Sequence, residues 1–229
     1  MIELTDLNFS YGQGDFALHL PELTIAAGET VAVVGPSGSG KTTLLNLIAG
    51  IVRPLAGRII VNGNCFENLD ERQLRDFRVQ HMGLVFQEFE LLEYLDVLDN
   101  LLLPFRVSRA LDLTPQVRLH AERLAEEVDI IDKIHRYPSQ LSHGERQRVA
   151  VCRALMTAPG LLLADEPTGN LDPANKSRVL DILLDFARKH SSTLVTVTHD
   201  YDLIPRFDRV FDFRSFQSVP PVAPEVAVQ

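Results

Sequence analysis

Eight consecutive residues, Gly35-Pro36-Ser37-Gly38-Ser39-Gly40-Lys41-Thr42, have the types and the order needed to hold a polyphosphate. Glycines let successive backbone N–H groups turn inward and form a concave anion site. A helix that starts where such a loop ends aims the positive end of its dipole at the same point. Lys41 then reaches the β- and γ-phosphates, and the Thr42 hydroxyl ligates Mg2+. The pattern is a complete Walker A motif, with Thr43 next in line as a nucleotide contact, and it admits ATP or GTP.

A second group lies far downstream. Leu161-Leu162-Leu163-Ala164-Asp165-Glu166 is an apolar run that ends in two carboxylates. A buried strand of this kind delivers its aspartate to the metal beside a phosphate loop, so Asp165 is assigned to Mg2+, directly or through water. Glu166, displaced from the metal by one residue, is placed to polarise a water attacking the γ-phosphate. Two acids together favour hydrolysis over transfer to an acceptor.

These groups need a sheet whose loops gather at one edge. Thr30 to Val34 (TVAVV) reads as a strand buried on both faces, running into the glycine-rich turn and a helix over Thr42 to Ala49. Leu161 to Ala164 and Thr193 to Thr198 read as further strands, with helical periodicity from Asn175 to Lys189 and a last strand over Val210 to Phe216. Ile2 to Phe9 and Ala17 to Ile25, joined through Tyr11-Gly12-Gln13-Gly14, read as an antiparallel pair, and Arg58 to Val61 as another strand. From about residue 87 to 158 the spacing turns helical, as in Leu119, Leu124, Val128 and Ile131. The expected fold is α/β: a P-loop NTPase (RecA-like) core over 1–86 and 159–217, with an N-terminal antiparallel β subdomain and an inserted α-helical subdomain. Residues 1–217 form a single domain in this reading. The Pro- and Val-rich stretch 218–229 is expected to be a disordered tail.

Between the two acidic and glycine-rich motifs stands Leu141-Ser142-His143-Gly144-Glu145-Arg146-Gln147-Arg148. It resembles the signature of ATP-binding cassette (ABC) ATPases, usually written LSGGQ, with His143 in place of the first glycine. Other positions match the same family in the same order, over about residues 2 to 215. Tyr11 resembles the aromatic that stacks on adenine, and Gln87 the glutamine that senses Mg2+ and the membrane partner. Asp172, in Gly169-Asn170-Leu171-Asp172, looks like the D-loop aspartate, and His199 like the switch histidine on the γ-phosphate. The resemblance implies ATP and Mg2+ as cofactors. It also implies a homodimer in which Ser142, Gly144 and Glu145 of one copy cap the nucleotide held by the other. Glu166, His199 and Gln87 are the residues it assigns to catalysis, and Thr42, Gln87 and Asp165 to the metal.

Asp165-Glu-Pro-Thr-Gly-Asn-Leu-Asp172 and Phe86-Gln87-Glu88-Phe89-Glu90-Leu91-Leu92 resemble one branch of that family, the ATPases of lipoprotein-release, macrolide-export and cell-division complexes. The implied partner is an integral membrane permease subunit, docked on the exposed part of the Leu91 to Leu103 cluster. A regulatory ATPase of the cell-division type is the alternative. A soluble cassette acting on DNA or the ribosome fits less well, because no coiled coil, zinc spacing or second cassette is present. The formal charge of −9, from 22 basic and 31 acidic side chains, also argues against broad nucleic-acid binding. Cys65 and Cys152 have no metal spacing and read as two small buried side chains. Charge-free runs such as Thr30 to Gly40 are shorter than the about 20 apolar residues of a spanning helix. With no secretion signal at Met1, the expected location is cytoplasmic, held to the inner membrane face through the partner.

Overall fold

Alternating and continuous apolar runs sort this chain into two sheets. The structure, a computed structural model, describes residues 1–12, 16–169 and 171–216. β1 (Ile2–Ser10) and β2 (Ala17–Ile25) pair antiparallel, with Ile2 opposite Ile25 and Ser10 opposite Ala17. β3 (Thr30–Val34) is buried throughout and feeds the glycine-rich loop and α1 (Lys41–Ile48). β4 (Ala56–Val61) and β5 (Asn64–Cys65) complete a four-stranded antiparallel sheet of order β2-β1-β4-β5.

The second sheet is parallel and takes in distant parts of the chain. After α2 (Glu71–His81) comes β6 (Met82–Val85), and then three helices, α3 (Val97–Val107), α4 (Pro115–Glu127) and α5 (His143–Leu155). β7 (Leu161–Asp165), α6 (Pro173–His190), β8 (Thr193–Val197) and β9 (Arg209–Asp212) follow. The order is β6-β7-β8-β3-β9. The strand of the phosphate loop and the strand of the acidic pair therefore flank β8. In open parallel sheets, ligands bind beyond the carboxyl ends of the strands, where their loops gather.

Side chains alternate across this sheet between two cores. Leu161, Leu163, Val31 and Val33 pack with α1 and the antiparallel sheet. Leu162, Ala164 and Ala32 pack with α3, α4, α5 and α6. Both faces are thus covered, which is why these strands read as continuous apolar runs rather than as alternation. Burying a Leu or Val side chain contributes about 1.5–3 kcal/mol, so each strand end is held firmly by its own core residues.

Several expectations need correction. The last strand ends at Asp212, and Phe213–Phe216 form a 3-10 turn, because Phe213 is fully buried against the first core instead of continuing the ladder. Leu119 is exposed, since the buried face of α4 is Ala121, Leu124 and Ala125. Cys152 is buried, but Cys65 is only partly so, and its thiol donates to Glu67 Oε2 at 2.7 Å. α2 and β6 had no counterpart in the sequence reading. An Asp70–Gln73 capping box starts α2, and β6 is only four residues long. The expected tail lies outside the described residues. Among the described residues, no helix is long and apolar enough to cross a membrane.

Candidate functional site

The carboxyl ends of β3, β7 and β8 border a cavity of about 560 Å3. Gly35, Ser37, Gly38, Gly40, Lys41, Thr42 and Thr43 line one side of it, and Gln87, Asp165, Glu166 and His199 the other. Pro36 and Ser39 belong to the same loop. Gly40 caps α1 at φ +102°, a conformation that side chains rarely adopt. A Cβ there would also stand 2.7 Å from the Phe16 ring. Lys41 is buried, and its ammonium donates to the carbonyls of Gly35 (3.0 Å) and Pro36 (2.7 Å), which holds the charge across the loop.

Asp165 stands at the end of β7, facing α1. Burial pushes its carboxyl above the usual range, and Glu166 adds to this, while the neighbouring Thr42 hydroxyl and Lys41 ammonium pull the other way. Its Oδ1 is buried without a hydrogen-bond partner among the described residues. Such an orphaned acceptor beside a hydroxyl fits a hard cation, which takes oxygen ligands. Among the described residues, no group of three or more His, Cys, Asp or Glu side chains is arranged to hold a metal ion by itself. A metal here would therefore be shared between one carboxylate, a hydroxyl and phosphate oxygens, the mode usual for Mg2+ rather than for Zn2+.

Glu166 takes a left-handed backbone conformation, φ +46°, unusual for a side chain of its kind. Its N–H donates to Val197 O at 3.0 Å and its carbonyl accepts from Gly169 N at 2.9 Å, so the turn is held on both sides. Oε1 lies 2.9 Å from His199 Nδ1, and Oε2 accepts from the His199 backbone N–H at 3.3 Å. Glu166 is mostly enclosed, with 13% of its side chain exposed, and His199 is open to solvent at 69%. A carboxylate and an imidazole in contact, facing a phosphate loop, can orient and deprotonate a water.

Other sequence-identified residues sit outside the cavity wall. The Tyr11 hydroxyl is 3.2 Å from Thr43 Oγ1, and its half-exposed ring packs edge-on against Phe9 and tilted against Phe16. Phe16 is the aromatic that lines the cavity. It escaped the sequence reading, although an aromatic directly after a glycine turn and before a strand was available as the signal. Ser142 and Glu145 form a capping box at the start of α5. Glu145 Oε2 accepts from Ser142 N at 2.8 Å, and Ser142 Oγ from Glu145 N at 3.4 Å. The Lys133 ammonium, 2.5 Å from Glu145 Oε1, helps hold that carboxyl down to about 2. Asp172 caps α6, accepting from the N–H groups of Ala174 and Asn175, and the Asn175 side chain holds it below the usual range. His143 packs its ring edge-on against Phe89.

A parallel sheet of order β6-β7-β8-β3-β9 with a Walker A loop after β3 and an acidic pair after β7 defines a P-loop NTPase of the RecA-like type, here carrying an antiparallel sheet and inserted helices. A family model described as "ABC transporter" matches residues 18–169. The chain is 43% identical over 192 residues to the lipoprotein-releasing system ATP-binding protein LolD of Hydrogenovibrio crunogenus, covering 83% of this chain and 82% of that one. It is 42% identical to the macrolide export ATP-binding/permease protein MacB of Rhodopirellula baltica, covering 92% of this chain and 31% of that longer protein. Among solved structures, the ATP-binding cassette MJ0796 in a dimeric post-hydrolysis state bound to ADP and Pi matches with TM-score 0.81 and 32% identity, over 93% of this chain and 94% of that one. The protein belongs to the ABC transporter family as an ATP-binding cassette, and it is an ATPase.

Proposed function

We propose that this cassette hydrolyses Mg-ATP between two copies of itself and so powers a membrane permease of the lipoprotein-release or macrolide-export type. The Glu166–His199 contact beside the phosphate loop is the observation that carries the reading. Gly35 through Thr43 bind the phosphates, and Lys41 exchanges its two carbonyl partners for phosphate oxygens. Thr42, Asp165 and Gln87 would hold Mg2+, and a bound ion would supply positive charge opposite the γ-phosphoryl group. Glu166 accepts a proton from the attacking water, and His199 keeps Glu166 turned toward it. Tyr11 and Phe16 offer ring faces to the base. In the dimer, Ser142, Gly144 and Glu145 of the opposite copy close the pocket with the N-terminus of α5, and Asp172 lies along the seam.

The helices over about 87–158 act as a lobe that meets the permease. A mainly apolar groove of about 360 Å3 runs between α2, α3 and α5, lined by Met82, Leu84, Phe86 and Val107 with the arginines Arg75 and Arg78 beside them. It adjoins Gln87, so a partner helix seated there touches the segment that enters the nucleotide cavity. The protein then sits at the inner membrane face through its partner. The likeness to the lipoprotein-releasing and macrolide-export proteins supports this type of permease over a purely regulatory role. Co-purification with the membrane subunit, combined with Mg-ATPase measurement, tests the proposal. Failure to recover any membrane subunit with the cassette, or ATPase activity unchanged by that subunit, would count against it.

A further inference from the structure

We propose that Lys176 is a positioning residue for hydrolysis, and that with Asn175 beside it on the first turn of α6 it ties the start of α5 to the Glu166–His199 pair. The inference rests on the reading of Glu166 and His199 given above. Lys176 Nζ lies 2.7 Å from Asp200 Oδ2, with both side chains less than a third exposed. Asp200 directly follows His199, and its own backbone N–H donates to Thr198 Oγ1 at 3.0 Å. Lys176 also holds the Asp200 carboxyl below its usual range. The short segment that presents the imidazole to Glu166 is thus pinned from α6.

Asn175 points the other way. Its Oδ1 accepts from Arg148 of α5 at 2.9 Å, and its Nδ2 donates to Asp172 Oδ2 at 2.5 Å. A Cβ added at Gly144 would stand 2.8 Å from the Asn175 amide, so α5 and α6 touch at that glycine. Gln147 adds a buried bond from α5 to Pro167 O at 2.7 Å, one residue past Glu166. Two adjacent residues therefore grip the two moving parts: Asn175 the helix that faces the opposite nucleotide, Lys176 the loop that faces its own. A shift of α5 when the dimer closes is carried through one helical turn to His199.

The test compares Lys176→Met, Lys176→Arg, Asn175→Ala and the Lys176→Met/Asn175→Ala pair by steady-state Mg-ATPase, with affinity for a fluorescent ATP analogue measured alongside. Lys176→Met is expected to lower kcat about tenfold with KM and analogue affinity within about twofold, and Lys176→Arg to restore most of the loss. The double variant should lose no more than the worse single one, because the residues act as one bracket. Wild-type kcat in Lys176→Met, an equal loss of affinity and kcat, no rescue by arginine, or additive losses would each overturn the proposal. His199→Ala is the control for the reading beneath it. A drop of about a hundredfold or more keeps that reading standing even if Lys176 fails, whereas an unchanged kcat removes both.

Discussion

Asp165 carries a conflict between function and stability. A partly buried carboxylate whose Oδ1 has no partner among the described residues is unfavourable to the folded chain, and its raised pKa expresses that. The sign follows from linkage: the penalty is absent below the unfolded carboxylate range and grows as pH rises through it. Asp165→Asn should therefore raise the thermal midpoint of the nucleotide-free protein at neutral pH, by about 2–4 °C for each kcal/mol relieved. The gain should vanish near pH 3, and Mg-dependent turnover should be lost; a lower midpoint at pH 7 would contradict this account. Lys41 stands in the reverse position. Its ammonium is held by two carbonyls on the loop it serves, so Lys41→Ala removes the charge that meets the phosphates. Steady-state Mg-ATPase activity is expected to fall to background.

At the scale of elements, α5 is anchored near both of its ends. Its N-terminus carries the Ser142–Glu145 capping box and the Lys133 ion pair. Near its C-terminal end, Arg153 donates to the carbonyls of Phe89 and Glu90, in the segment after Gln87. One helix thereby touches the segment after Gln87, the Lys133 turn and α6. Glu145→Gln keeps an acceptor for the Ser142 N–H but loses the charge that Lys133 meets. Because the folded carboxyl is lowered from 4.5 to about 2, its stabilisation is full above pH 4.5 and disappears as pH falls toward 2. Thermal melts of the two proteins should be separated at pH 6 and converge near pH 2. A separation independent of pH would assign the effect to the cap alone.

For the whole molecule, the decisive quantity is association. Ser142, Gly144 and Glu145 are not among the residues that line the cavity beside the phosphate loop. In the proposed dimer a second copy would bring its own α5 to the open side. Glu166→Gln should slow cleavage and hold the closed state, so sizing with Mg-ATP is expected to show a stable dimer and sizing without nucleotide a monomer. The proposed permease surface can be tested apart from this. Val107 is highly exposed at the mouth of the apolar groove, and Val107→Asp should lose the membrane subunit in pull-downs while nucleotide affinity stays within about twofold, since burying that charge at an apolar contact is unfavourable. Retention of the partner would place docking elsewhere.

What the amino-acid sequence determined by itself were the features whose geometry adjacent residues encode. The Walker A loop is contiguous, so glycines, lysine and threonine define its shape locally, and the apolar strands β3, β7 and β8 stand out because both faces are buried. The short β6 and the polar α2 were too brief or too weakly patterned to show. Only the tertiary structure decided that Glu166 meets His199 across 33 positions of chain, that Phe16 lines the cavity, and that Lys176 reaches Asp200. The Glu166–His199 contact follows from β8 lying beside β7 in the parallel sheet. Strand order is set by how two cores are filled from distant segments, and no local period in the chain carries that information.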